Sequence, residues 1–324
     1  AGDAFTGTLY FNEFLGKADL AMMNLMDFDA MTFGNHEFDL GSSSEGHQKL
    51  VEFIKGAKFP FVSANVDFSK DSMFEGIFND SIATDIENGQ IYNGIIKEVN
   101  GEKVGIFGLT TEETVDISSP GSIAFEHYIE EAEKAVEAFG AAGVNKIIAL
   151  THIGYDDNAT VDNDLILAEQ VEGIDVIVGG HSHTALAEPV IVAKDETPTV
   201  IVQTGNANSN LGLLNVEFDQ NGVVETFNGK LIEIKEQESD EEAQAVLAPF
   251  KSKVEEVAKT EIGVSTPIEL ENPRTNGDDT KPSVRKNETI LGNLITNGML
   301  EKAKSFTGKD VIMALQNGGG IRAA

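Results

Sequence analysis

The chain contains no cysteine, so it can form neither a disulfide nor a metal site with thiolate ligands. No stretch of 18 apolar residues occurs, so no segment of this sequence reads as a membrane-spanning helix. Basic residues are few, since 23 lysines and arginines stand against 54 aspartates and glutamates, for a formal net charge of −31. Nucleic-acid polymers and anionic membrane surfaces are bound by basic surfaces. This charge therefore argues against both as partners.

The length of 324 residues is more than one typical domain needs and predicts two domains. A hydrophobic content of 41% is enough for a sizeable core. The first two hundred residues alternate helical spacing with apolar, β-rich runs, which is typical of α/β proteins. Helices are predicted over 11–26, 47–54 and 129–139, and strands over 30–33, 61–64, 91–99, 104–109, 147–150, 176–178 and 199–203.

The later part of the chain has a different pattern. Paired strands are predicted between 211 and 234, where an Asn-Gly pair at 221–222 is a hairpin signal. A helix is predicted to follow at 239–261, with acidic residues in its first turn, where they suit the helix dipole. Segment 271–287 is rich in Pro, Gly, Asn and Asp and is predicted to be an exposed loop.

Three short motifs contain four of the six histidines, and each motif follows an apolar run. They are 34–39 (GNHEFD), 151–154 (THIG) and 179–183 (GGHSH). The carboxyl ends of the strands in an open α/β sheet form the crevice where ligands bind. This placement indicates a hydrolase that uses divalent metals.

The candidate ligands are of mixed chemistry. Asp3, in 2–8 (GDAFTGT), has two carboxylate oxygens that could bridge two cations, and Asn35 offers an amide oxygen. His152, His181 and His183 offer imidazole nitrogens, and we expect the last two to face the same way as alternate residues of an extended segment. Mixed nitrogen and oxygen ligands suit zinc, manganese or iron better than calcium or magnesium.

The motifs occur in an order that resembles the calcineurin-like metallophosphoesterases, and more closely the 5′-nucleotidase family, which includes ecto-5′-nucleotidase and bacterial UDP-sugar hydrolase. The resemblance runs along nearly the whole sequence. Besides the two later histidine motifs, it covers 29–41 (DAMTFGNHEFDLG), 59–66 (FPFVSANV), 101–114 (GEKVGIFGLTTEET) and 317–323 (NGGGIRA).

The resemblance implies a four-layer α/β/β/α metallophosphoesterase sandwich, followed by the start of a smaller α+β C-terminal domain. The implied boundaries place the metallophosphoesterase domain, without its first strand, at 1–238 and a linking helix at 239–261. The beginning of a C-terminal substrate-binding domain then occupies 262–324.

The resemblance also implies a role for each site residue. Asp3 is expected to be shared by two metals, with Asn35, His152 and His181 on one and His183 on the other. His36 is expected to lie beside the metals, held by Asp39 as a catalytic dyad. The expected substrate contacts are Arg285, Asn317 and Arg322.

The implied activity is hydrolysis of nucleoside 5′-monophosphates, with UDP-sugars as further substrates, through attack on phosphorus by a hydroxide that two metals share. The implied cofactors are two divalent ions, zinc first and manganese second. The implied location is extracytoplasmic, whether secreted, periplasmic or cell-wall associated. The oligomeric state is left open.

Three alternatives stay open beside this reading. One is a 2′,3′-cyclic-nucleotide 2′-phosphodiesterase/3′-nucleotidase, although such relatives more often have Asn where this chain has Asp39. A more distant one is a thiosulfate-ester hydrolase of the same superfamily. The third is a non-catalytic segment that holds a single metal or phosphate.

The family's first motif, Asp-x-His at the end of the first strand, does not occur in this chain. We therefore predict that the chain is an internal segment of a longer protein. Only Asp3 and His183 would then remain for the second metal, which predicts about one bound ion per chain and little or no turnover by the 324 residues alone.

Overall fold

A computed structural model describes residues 1–156, 158, 160–194, 197–261, 263–273 and 280–321. The chain divides into two compact units, Ala1–Ala258 and Lys259–Ala324. The three-part division into 1–238, 239–261 and 262–324 stays a prediction.

The first unit alternates helices and strands through most of its length. Its helices are α1 (Leu9–Phe14), α2 (Lys17–Leu25), α3 (Gln48–Gly56), α4 (Thr114–Ile117), α5 (Tyr128–Ala141), α6 (Asp164–Gln170) and α7 (Glu241–Lys259), the last reaching the unit boundary. Its strands are β1 (Phe61–Val62), β2 (Val66–Asp67), β3 (Phe78–Ala83), β4 (Ile91–Val99), β5 (Glu102–Thr110), β6 (Ala124–Phe125), β7 (Ile147–His152), β8 (Val176–Val178), β9 (Val190–Lys194), β10 (Thr197–Val202), β11 (Asn210–Phe218) and β12 (Val224–Glu233).

A mixed eight-stranded sheet forms the centre of this unit, in the order β1-β4-β5-β7-β8-β10-β9, with β3 also paired to β4. Strands β5, β7, β8 and β10 run parallel, so their carboxyl ends meet at one edge. Parallel strands are covered on both faces, which explains their nearly continuous apolar sequences. The pairs β11–β12 and β2–β6 form two further sheets. The predicted α/β class is confirmed.

Two hydrophobic cores support this sheet edge. One joins α5 and α6 to β5, β7 and β8 and includes the fully buried Phe107, Phe139 and Leu167. The other is rich in phenylalanine and lies beneath residues 33–38. In it, the rings of Phe33 and Phe61 stack with centroids 5.1 Å apart. The loops at the strand ends therefore rest on close-packed side chains.

The prediction of one helix over 11–26 is wrong, because two helices occupy this range. Leu15 and Gly16 have φ angles of 48° and 87°, in the left-handed region that ends a helix. The predicted strand at 30–33 is reduced to a bridge between Met31 and Phe61. A proline inside a helix is expected to kink or break it. Nevertheless, α7 continues through Pro249.

Among the described residues of the second unit, 290–307 form a long helix, α8 (Ile290–Thr307). The Thr289 side chain accepts a hydrogen bond from the Gly292 N–H at its start, and Gly308 ends it with a φ of 63°. A single 3₁₀ turn, Gly318–Gly320, comes near the end of the described residues. Within the described ranges, none of the helices has the length and apolar character that crossing a membrane requires.

Candidate metal centre

Glu37 holds together the two segments that begin the site. Its carboxylate is fully buried within the short 3₁₀ turn His36–Phe38. Oε1 accepts the N–H groups of Ala4 and Phe5 at 2.6 and 3.2 Å, and Oε2 accepts those of Asp3 and Gly34 at 2.8 and 2.6 Å. Burial and the charge of Asp3 raise the pKa of Glu37, while the backbone donors oppose this rise. The chain start is therefore fixed against the turn.

Sequence reasoning gave Glu37 no role. The signal that could have found it is a charged residue directly before a buried aromatic, in a segment that follows an apolar run. A buried carboxylate in such a place needs several donors, and the nearest donors are backbone N–H groups.

The carboxylate of Asp3 contacts two of the histidines in the predicted site, His36 and His152. Its Oδ1 accepts the His36 N–H at 3.0 Å, and its Oδ2 lies 3.2 Å from His152 Nε2. Burial raises the pKa of Asp3, but the neighbouring His152 imidazole lowers it more, so that the carboxyl is ionised. Only glycine fits at position 34, because a Cβ there would overlap Asp3 Oδ1.

His152 ends β7 and is buried. Its Nδ1 lies 2.6 Å from the carbonyl oxygen of Ala1, and its buried Nε2 has no hydrogen-bond partner of good geometry. Burial lowers the pKa of His152, but the neighbouring Asp3 carboxylate raises it more. Metal-ligating histidines typically donate one ring N–H to a carbonyl or carboxylate and bind through the other nitrogen. In His152, Nδ1 faces a carbonyl, so Nε2 is the nitrogen that can bind a metal ion.

His181 and Asn35 form the other close pair. His181 Nδ1 lies 3.1 Å from the Asn35 Oδ1, and the ring centroids of His152 and His181 are 5.1 Å apart. Burial, followed by the charge of His152, lowers the pKa of His181 to about 4. His181 is therefore neutral near pH 7, which is the form that binds metals.

These distances test whether the residues fit a metal ion. Two ligands held about 2.1 Å from a tetrahedral ion lie about 3.4 Å apart, and two imidazoles on one ion have ring centroids about 5 Å apart. The pairs Asp3–His152 and Asn35–His181 match these values. No three His, Asp or Glu side chains in the described part of the chain form a metal-binding group by themselves. Each pair joins a nitrogen and an oxygen donor, so each has the spacing and the chemistry of two ligands on one divalent ion.

His183 is exposed in the loop that follows β8. The expectation that His181 and His183 alternate on an extended segment is wrong, because their φ angles are 73° and 60°, both in the left-handed region. The charge of His183 contributes to the lowered pKa of His181, so the two side chains belong to the same region.

His36 and Asp39 contact each other as the sequence predicts. His36 Nδ1 lies 2.6 Å from Asp39 Oδ2, and Asp39 Oδ1 accepts the hydroxyl of Ser118 at 2.7 Å. Ser118 follows α4 and was missed, because nothing in the sequence joins it to a residue 79 positions earlier. The Ser118 hydroxyl fixes the carboxylate that in turn holds the imidazole.

The second unit contains the remaining predicted residues. Arg285 is exposed, and a Cβ on Gly318 would lie 2.7 Å from its Cα, so the glycine turn packs against the backbone of Arg285. Asn317 begins this turn by accepting the Gly320 N–H at 2.9 Å. Arg322 lies outside the described residues.

The family profile described as calcineurin-like phosphoesterase matches residues 1–185. The chain belongs to this family. Its membership confirms the predicted metallophosphoesterase fold and, at the level of the family, the predicted class of hydrolase. Divalent metal ions are implied by the family, and their identity is not.

Relatives include the trifunctional nucleotide phosphoesterase protein YfkN of Bacillus subtilis, 42% identical over all of this chain and 22% of its own length. The human 5′-nucleotidase is 33% identical over all of this chain and 55% of its own length. Among solved structures, a 5′-nucleotidase precursor from Thermus thermophilus is 38% identical, with a TM-score of 0.78 over 99% of this chain and 60% of that one. The chain thus spans at most about half the length of these two curated relatives.

We expect Glu37→Gln to lower the free energy of unfolding by about 1–3 kcal/mol, because the amide NH₂ would face buried N–H donors that now have an acceptor. Urea unfolding measures this change, and Glu45→Gln, at an exposed position nearby, serves as the matched control. Equal stability of both variants and the unmodified protein would show that Glu37 does not hold the chain start.

Proposed function

We propose that the protein is a metal-dependent phosphomonoester hydrolase that acts on nucleoside 5′-monophosphates. The observation that carries this proposal is the convergence of Asp3, Asn35, His152 and His181, from distant parts of the sequence, into two ligand pairs beside a His36–Asp39 pair. The relatives named as 5′-nucleotidases support the substrate class.

Asp3, Asn35, His152 and His181 would hold one divalent ion, and His183 would belong to a second ion that Asp3 shares. Zinc is our first candidate and manganese our second. When bound, such ions acidify a water molecule and neutralise charge on phosphoryl oxygens. The contribution of the protein is to present the donors in a fixed geometry, which the four backbone hydrogen bonds to Glu37 and the packing at Gly34 provide.

His36 is proposed to act on the leaving group. In the imidazolium form of His36, Nδ1–H donates to Asp39 and the proton on Nε2 can pass to the alkoxide that departs from phosphorus. The imidazolium form is stabilised by the Asp39 carboxylate, which Ser118 keeps in place. The pair therefore combines orientation of the ring with stabilisation of its charge.

Arg285, Asn317 and Arg322 are proposed to contact the substrate from residues 262–324. A guanidinium group suits an anionic phosphate ester because its planar donors can bind two oxygens at once. Hydrolysis of UDP-sugars and an extracytoplasmic location belong to the same proposal.

A second candidate is hydrolysis of 2′,3′-cyclic nucleotides with 3′-nucleotidase activity. The 42% identical YfkN is named a trifunctional nucleotide phosphoesterase, which supports more than one activity on nucleotides and so keeps this candidate in view. Against it stands Asp39, where relatives of the cyclic-nucleotide type more often have Asn. We rank the 5′-nucleotidase activity first.

Phosphate release from AMP and from 2′,3′-cyclic AMP, measured with the full-length protein in zinc or manganese, tests the substrate. We expect a higher kcat/KM for AMP, loss of activity with a chelator and recovery when metal is restored. A higher kcat/KM for the cyclic substrate would favour the second candidate, and turnover that a chelator leaves unchanged would contradict metal dependence.

We expect His36→Ala to lower kcat about 10²–10⁴-fold, since it removes a general acid, with metal content unchanged. Ser118→Ala should lower kcat by up to about tenfold, the equivalent of one hydrogen bond. Steady-state kinetics and metal analysis of the same samples measure both effects. Loss of bound metal in His36→Ala would identify His36 as a ligand instead.

A further inference from the structure

The segment 110–118, which runs from the end of β5 through α4, is held at several points beside the metal-ligand residues. The Thr111 N–H donates to the His152 carbonyl at 3.0 Å, and the Thr110 hydroxyl donates to the Phe33 carbonyl at 2.8 Å. The Glu112 N–H donates to Asp162 Oδ2 at 3.1 Å. These bonds place the next residue, Glu113, next to the loop that contains His181.

Glu113 faces the ring nitrogen of His181 that points away from Asn35. Its Oε2 lies 4.0 Å from His181 Nε2, whereas Nδ1 of the same ring lies 3.1 Å from Asn35 Oδ1. The other oxygen, Oε1, accepts the Asn158 side-chain amide at 2.8 Å. The Glu113 side chain is 31% exposed, and a small shift of Oε2 that keeps the Asn158 bond would bring it within hydrogen-bond distance of Nε2.

The two ring nitrogens of His152 also face different partners. Its Nε2 faces Asp3, and its Nδ1 is fixed by the Ala1 carbonyl oxygen. In each ring one nitrogen faces a candidate ligand and the other faces an oxygen acceptor. An acceptor at the outer nitrogen selects the tautomer whose inner nitrogen has a free lone pair, and it fixes the ring orientation.

We propose that Glu113, held by Asn158, is a positioning residue that orients His181 for metal binding through Nδ1. This inference rests on the metal-dependent function proposed above and adds to it a residue that does not itself contact the ion. The carboxylate accepts the Nε2 proton of His181, and Asn158 restricts its rotation. Glu113 then acts through His181 alone.

Metal affinity measured without turnover tests the proposal. Apo protein is titrated with Zn²⁺ in competition with a chromophoric chelator, for the unmodified protein, Glu113→Ala, Glu113→Gln and Asp116→Asn. Loss of an outer carboxylate typically weakens metal binding about 10–100-fold. We expect this loss in Glu113→Ala and a smaller loss in Glu113→Gln, because the amide oxygen can still accept the Nε2 proton. Asp116→Asn removes the same charge from an exposed position of the same segment and should leave affinity unchanged.

Two further measurements separate positioning from a structural effect. The Tm of the apo variants should equal that of the unmodified protein, and ¹⁵N NMR of the His181 ring should show the Nε2-protonated tautomer, weakened in Glu113→Ala. Unchanged zinc affinity in Glu113→Ala, with normal binding by the unmodified protein, would overturn this inference alone. If Glu113→Gln and Asp116→Asn weakened zinc binding equally, the effect would be one of charge alone, and the positioning role of Glu113 would be overturned as well. Failure of the unmodified protein to bind zinc or manganese would overturn the proposed function together with it.

Discussion

The candidate metal site depends on one buried carboxylate. Glu37 accepts four backbone N–H groups, three of them from Asp3, Ala4 and Phe5 and one from Gly34. Hydrogen bonds to a charged acceptor are the stronger ones, and leaving their donors unpaired in the interior is costly. Without this acceptor, residues near the start of the chain would have no reason to lie against the turn at 34–37, and Asp3 would not reach His152.

The rest of the site follows from the edge where the parallel strands end. His152 ends β7, His181 lies in the loop after β8, Glu113 lies in the loop after β5, and Ser118 follows the short helix α4 that comes next. This edge therefore brings together the candidate ligand His181, the Glu113 carboxylate that faces it, and the Ser118 hydroxyl that donates to Asp39. Parallel pairing is therefore what gathers residues from three separate parts of the sequence.

Much of this arrangement could be predicted from the sequence, and the failures have physical causes. Apolar runs located β4, β5, β7 and β8 to within a few residues, because buried parallel strands have few other compositions. The pairing of His36 with Asp39 came from the family resemblance, and the structure shows the contact because both residues lie in one 3₁₀ turn. Ser118 and Glu113 could not be found, since their roles depend on contacts with distant segments. The backbone at His181 and His183 was mispredicted because a left-handed φ in a non-glycine residue is set by the packing around it.

Anomalous diffraction from crystals grown with zinc or manganese would locate the metal. We expect a peak about 2.0–2.2 Å from Asp3 Oδ2, Asn35 Oδ1, His152 Nε2 and His181 Nδ1, with His152 Nδ1 still bound to the Ala1 carbonyl. A metal peak elsewhere, or coordination of His152 through Nδ1, would contradict it.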